Sequence, residues 1–198
     1  MSALLPVSLD LARLGVALVG TGPRAERRLG LLDEAGATRL TVFSPAPSPA
    51  LSAGAGERLQ RRLPKAADLK GVNVVFVAGL DAAEAQSVAL LAREAGALVN
   101  VEDVTESCDF HSAAVVRRGD LVVGIATGGR CPILARALKQ WLERALPRDF
   151  AATVAALTGL RLLSRRTGAG NAPLETAALS ALARLDAQVL PERRDRAA

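Results

Sequence analysis

At 198 residues, half of them hydrophobic but only 3% aromatic, the chain can bury one core plus an appendage, built from Ala, Val and Leu, and is not disordered by composition. Its net charge is +5, with the basic excess in residues 108–198; no Tyr, one Trp and four scattered Phe argue against a nucleic-acid partner and leave a solvated basic surface or a polycarboxylate ligand. Cys108 and Cys131 make no CxxC pair and have no His at ligand spacing, so neither a disulfide framework nor a metal site is expected; the start MSALLPVSLDLARLG is no signal peptide and no apolar run reaches about 18 residues, so a soluble, cytoplasmic protein without membrane contact is expected.

Gly15 to Val19 reads as a short apolar strand. It runs into Gly20-Thr21-Gly22, then Pro23 in a first helical turn, and a helix that passes Leu31 and Leu32 and stops at Gly36. Leu40 to Phe43 predicts the second strand, and the Pro- and Gly-rich stretch from Pro45 to Gly56 an irregular surface connection. Val72 to Ala78 has the apolar character of a central parallel strand buried on both faces. Asp81, with Glu84 three residues on, reads as an N-cap and its capping-box partner, opening a helix that ends near Gly96; Ala97 to Val101 follows as a strand. Alternating strand and helix implies a parallel, doubly wound sheet.

After Cys108 the pattern changes. Ala113 to Val116 and Leu121 to Ile125 predict a hairpin around Arg117-Arg118-Gly119-Asp120. Pro132 opens a helix reaching Pro147 in which Ile133, Leu134, Ala137, Leu138, Trp141, Leu142 and Ala145 form an apolar stripe, the mark of a core or subunit interface. A helix from Phe150 to Leu163, a flexible SRRTGAGNAP connector, a helix from Leu174 to Leu190 and a frayed PERRDRAA end complete the chain.

Three places carry candidate chemistry. Gly20-x-Gly22-x-x-Ala25, between a strand and a helix, has the dinucleotide pattern: one glycine turns tightly, the next admits a diphosphate onto the helix N-terminus, and a small third residue lets the helix pack closely. On that reading Gly20, Thr21, Gly22, Pro23, Arg24, Ala25, Ser44, Ala78 and Gly79 border the cofactor, although any tight strand-to-helix turn favours glycine. Phe43-Ser44 stands where an acid would hold the ribose, so the choice between NAD and NADP is not readable. Glu102 and Asp103 end a strand; they read either as a general base with its neighbour or as a loop-capping pair. Thr127-Gly128-Gly129-Arg130 leads into a helix and reads either as an anion site or as an ordinary turn, with Arg136 adding charge or pairing with Glu143. His111, the only histidine, is a ligand contact or a packing residue, and the two cysteines read as inert small residues.

Two blocks, VNVEDVTESCDF and GDLVVGIATGGRCPILARALKQWLE, together with the glycine turn and Ala25, Arg27 and Arg28, make the chain similar to the precorrin-2 dehydrogenase / sirohydrochlorin ferrochelatase family, the N-terminal module of siroheme synthase. The family patterns are VNVxDDxxxCDF, GPLVIAISTGGxSPxLARxLRxxLE and GGGxVAxRK. The resemblance implies an α/β homodimer: a Rossmann-like NAD-binding domain over 1–110, a small strand-and-helix dimerisation region over 111–147 and a helical C-terminal region over 148–198. It further implies oxidation of the tetrapyrrole precorrin-2 to sirohydrochlorin with NAD as hydride acceptor, Fe²⁺ insertion in some members, Asp103 as the catalytic aspartate, and Thr127 lining the active-site cleft. Gly128, Gly129, Arg130 and His111 join Thr127 as candidate substrate contacts. The chain departs from the family's AATDDxxLN at Gly79, Leu80 and Ala85, which motivates two alternatives: a non-catalytic paralogue that binds a dinucleotide or tetrapyrrole, and a dedicated chelatase.

Overall fold

Val16–Gly20 (β1) and Val74–Ala78 (β4) bury every residue and pair in parallel at the centre of a five-stranded sheet. The computed structural model describes residues 4–189, except the side chains of 186–189. It resolves into two units, the first ending at Ser112 and the second beginning at Ala113.

In the first unit the order is β3-β2-β1-β4-β5, all parallel, with β2 at Leu40–Phe43, β3 at Leu59–Gln60 and β5 at Leu98–Val101. Because strand side chains alternate, each strand feeds two cores. Val16 and Leu18 join Phe76 beneath helices α1 (Gly22–Glu34) and α2 (Pro49–Ala55), whereas Ala17, Val19, Val75 and Val77 pack with α3 (Ala82–Glu94). Helix α1 buries Ala25, Leu29 and Leu32, and α3 buries Ala85, Val88, Ala89 and Ala92, both at helical spacing. The expected Rossmann-like sheet is borne out, and its ligand-accepting carboxyl edge is where β1, β4 and β5 end.

The second unit holds β6 (Ala114–Arg118) and β7 (Leu121–Ile125), an antiparallel hairpin turning at Gly119 with φ +58°. Helices α4 (Pro132–Ala145), α5 (Phe150–Thr167) and α6 (Ala172–Val189) follow. Arg118 ties the hairpin to the end of α4 by donating to the carbonyls of Glu143 (2.9 Å), Leu146 (2.5 Å) and Pro147 (3.1 Å), groups the helix leaves unpaired at its negative end. Among the described residues no helix is long and apolar enough to cross a membrane.

Several expectations need correction. The Pro45 to Gly56 stretch is not wholly irregular: Ser48 Oγ accepts from Leu51 N (3.0 Å), Pro49 suits a first turn, and burial of Leu51 and Ala55 holds the short helix α2. The two-residue strand β3, too short for any periodicity, was not foreseen. Most of the SRRTGAGNAP connector is helical: α5 continues to Thr167, where Gly168 at φ +68° caps it, and α6 starts at Ala172. Glu143 pairs with Lys139 (3.7 Å), one turn back, in place of Arg136. Leu190 and the PERRDRAA end lie outside the described residues.

Candidate dinucleotide-binding site

The glycine turn is built by exclusion at one position and openness at the next. A Cβ on Gly20 would lie 1.9 Å from the Ala78 carbonyl oxygen and 3.2 Å from the Ala25 Cβ, so only glycine lets β1, β4 and α1 converge. Gly22, at φ +62°, has nothing within 4 Å of its missing side chain; the backbone there is bare and free to be approached. Ala25 is fully buried. Helix α1 carries no acid in its first turn and no side-chain cap, because the Thr21 hydroxyl donates instead to Gly79 O at 2.6 Å. Its N-terminal N–H groups and positive dipole end therefore lack an internal anion.

That last bond crosses the mouth of the sheet. Thr21 N also donates to Ala78 O (3.1 Å), and a Cβ on Gly79 (φ +73°) would come within 2.3 Å of Thr21 O. Thr21 stands where the resembled pattern has glycine and Gly79 where it has threonine, and in this chain the hydroxyl that bridges the two turns comes from the α1 side. Ala85 sits in the α3 core. Between the turns lies a cleft of ≈ 560 Å³, lined by residues 21–24 and Arg27 on one side and Gly79 and Leu80 on the other. Arg27 and Leu80, noted in the sequence as a match to and a departure from the resembled patterns, were not among the expected cofactor contacts; the spacing of Arg27 one turn after Pro23 was the available signal.

The VNVEDVTESCDF block folds back on itself at the end of β5. Asp109 pairs with Val99 at both N–H and carbonyl (Asp109 N to Val99 O 2.8 Å, Val99 N to Asp109 Oδ2 2.9 Å) and binds Arg93. Buried Asn100 donates to Phe110 O (2.9 Å), and Phe110 meets Phe76 edge-on at 5.3 Å between ring centroids. The Cys108 thiol lies 3.1 Å from Val101 O and 3.3 Å from Val104 O; burial pushes its pKa up, which keeps the proton that these carbonyls accept.

This hook presents two carboxylates. Glu102 N extends the ladder to Val77 O (2.9 Å), and Asp103 then turns at φ +64°, the only non-glycine among the described residues with positive φ. Aspartate tolerates that region, at a cost on the order of 1 kcal/mol that the hook must hold. The Asp103 carboxylate is 70% exposed and meets Arg24 Nη1 at 2.9 Å. Glu102 Oε2 is buried without a hydrogen-bond donor, 3.9 Å from Arg24 Nε. Arg28 lies over the Phe76 ring (5.3 Å) and donates to Ser112 Oγ (2.8 Å); burial lowers its pKa, with Glu102 opposing.

Residues 7–114, more than half of the chain, match the protein family described as "Putative NAD(P)-binding". The chain belongs to this NAD(P)-binding family. It is 36% identical over 149 residues to "Siroheme synthase" of Methylococcus capsulatus, covering 74% of this chain and 31% of that one. It is 39% identical over 162 residues to "Siroheme synthase 1" of Aeromonas salmonicida, covering 79% and 34%. The chain thus spans about a third of the length of these relatives. The solved structure titled "SirC, precorrin-2 dehydrogenase" superposes with a TM-score of 0.68 at 24% identity, covering 94% of this chain and 98% of that one, a likeness of fold. The resemblance read from the motifs agrees with these names.

Within the NAD(P)-binding unit, the structure brings Thr21, Gly22, Pro23, Arg24 and Gly79 to one cleft and ties Asp103 to it through Arg24. Ser44 is fully buried with its Oγ unpartnered, and is not among the lining residues. His111 is half-buried in the segment leading out of the unit. In the second unit Thr127 Oγ1 accepts from Cys131 N (3.3 Å), Gly128 and Gly129 take φ +62° and +75°, and Arg130 is exposed at the start of α4.

Proposed function

We propose that this chain oxidises precorrin-2 to sirohydrochlorin with NAD, a step of siroheme biosynthesis. The observation that carries the reading is the ion pair of Arg24 with Asp103: an exposed carboxylate at positive φ tied to the wall of the cleft at the glycine turn. The names of the relatives, siroheme synthases and a precorrin-2 dehydrogenase, supply the substrate class.

The glycine turn fits the cofactor: Gly20 and Ala25 bring α1 against the sheet, Gly22 leaves its backbone bare, and the uncapped α1 N-terminus with Arg27 would hold the diphosphate. When bound, NAD supplies the hydride acceptor. Phe43-Ser44-Pro45, after β2, offers no acid for the ribose 2′-hydroxyl, and Arg62 lies over the Phe43 ring (5.6 Å), so NAD is taken from the resemblance and NADP is tested beside it. Asp103 accepts the proton that leaves the substrate carbon skeleton as the hydride departs, which balances the two-electron oxidation. Within the second unit, Arg130, Thr127, Gly128 and Gly129 are the groups proposed for substrate carboxylates; His111 is proposed separately as a substrate contact of the first.

The second unit's apolar surface supports a homodimer: Ile133 is 80% exposed and Trp141 51%, on one stripe of α4. Both cysteines are free, which suits a reducing cytoplasm.

The deciding assay supplies precorrin-2 with NAD or NADP, with and without Fe²⁺. NADH formation with sirohydrochlorin as product is expected. Metal insertion into supplied sirohydrochlorin with no dinucleotide effect would replace this reading by a dedicated chelatase, and dinucleotide binding with neither reaction by a non-catalytic paralogue.

A further inference from the structure

The cation that meets the strained aspartate comes from the glycine turn itself. Asp103 has its backbone fixed from several sides: Glu102 N donates to Val77 O (2.9 Å), Val104 N to Val101 O (3.3 Å), and the Cys108 thiol reaches the Val101 and Val104 carbonyls. Its side chain is not fixed in this way. Among the described residues, Arg24 is the one side chain that meets the Asp103 carboxylate, at 2.9 Å, and its Nε faces the undonated Glu102 oxygen at 3.9 Å. The two other arginines of that helical turn are engaged differently, Arg28 with Ser112 and Phe76 and Arg27 along the cleft.

We propose that Arg24 is a positioning residue for Asp103: one edge of its guanidinium holds the carboxylate at the cleft while its charge shields that carboxylate from the phosphates of an arriving dinucleotide. The proposal rests on the reading of Asp103 as proton acceptor. A guanidinium suits it because its five donors form a planar fork, so one edge can stay on the carboxylate when the other turns to a phosphate oxygen. A lysine would keep the charge and lose the fork.

The test uses the full chain with precorrin-2 and NAD, each saturating, and measures dinucleotide affinity separately by titration. Arg24→Gln should lower kcat on the order of tenfold, as expected when a reacting group is misplaced. Its dinucleotide Kd should rise as well, but by a smaller factor than kcat falls, since the guanidinium also faces the phosphates, and an unchanged thermal midpoint reports that the fold is intact. Arg24→Lys should recover part of the lost kcat. An Arg24→Gln enzyme with unchanged kcat and a raised Kd would make Arg24 a phosphate ligand only, and equal kcat losses in the Gln and Lys variants would remove its charge from the argument; either overturns the proposal. Wild-type protein that binds the dinucleotide yet forms no NADH would overturn the functional reading itself, a distinct failure.

Discussion

The two units solve the problem of apolar surface in opposite ways. In the first, a parallel sheet buries both faces under its own helices, and β1 and β4 expose nothing. In the second, α4 buries only Ala135, and Ile133, Leu134, Leu138 and Trp141 stand open, as do Leu160, Leu162 and Leu163 on α5. A chain that completes one unit from within and leaves apolar side chains open on the other gives dinucleotide binding the rigid turn it needs and leaves a surface for the association proposed above.

The sharpest test of the first unit's share is Asp103→Asn. Asparagine tolerates positive φ as aspartate does, so the hook should keep its shape while the proton acceptor is lost. Turnover should fall by about 10²–10⁴, the usual worth of a general base, with dinucleotide affinity held, as followed by NADH absorbance and by titration. Turnover like wild type would take Asp103 out of the mechanism.

Next in size is a pair of glycine substitutions that separates packing from access. Gly20→Ala puts a methyl 1.9 Å from Ala78 O and must part β1 from β4, at about 3 kcal/mol or more by thermal or urea unfolding. Gly22→Ala meets no atom within 4 Å and carries only the left-handed backbone penalty, about 1–2 kcal/mol, but places a methyl where the diphosphate would approach. Dinucleotide binding should therefore be lost in both, with the fold weakened far more in the first. Equal stability losses would mean that the turn is not built as described.

Much of this division was legible in the sequence, and the misses share a cause. Periodicity located β1, β2, β4, β5, α1 and α3 because each buries a face whose pattern spans several residues. It passed over α2, whose seven residues rely on Ser48 as cap and on Leu51 filling a core formed by distant segments. At the site, residue type and spacing pointed to Gly20, Gly22, Ala25 and Asp103. They did not show that most of VNVEDVTESCDF is a structural hook, with Asn100, Cys108 and Asp109 bonded to backbone, since those partners are chosen by the return of the chain. Nor did they show the Thr21 to Gly79 bond, which joins residues 58 apart.

The second unit's share is tested by charging its stripe. Ile133→Glu with Trp141→Glu alters only exposed positions on α4, so the helix should survive while any association through it is repelled. Light scattering should show a wild-type dimer reduced to monomer, with dinucleotide affinity of the first unit unchanged. A wild type that is monomeric at assay concentrations would end the dimer reading.

The smallest effect expected belongs to a loop of the first unit and appears only with pH. Asp68 accepts from both Arg62 nitrogens (2.6 and 2.8 Å) and from Lys65 N (2.6 Å), while Arg62 lies over the Phe43 ring at 5.6 Å. The Arg62 hydrogen bond, then that of Lys65, holds the Asp68 carboxyl well below the usual carboxylate range. A value lowered in the folded chain means a stabilising contribution that is complete above the unfolded value of about 3.9 and is lost as the pH falls below it. Asp68→Asn should therefore lower the thermal midpoint slightly at neutral pH, the pair being at the surface. The wild-type and variant midpoints should then converge as the pH is taken from about 5 towards 2. Curves that stay parallel through that window would show that the carboxylate charge contributes nothing there, and that the loop between β3 and β4 is held by Leu69 in the core alone.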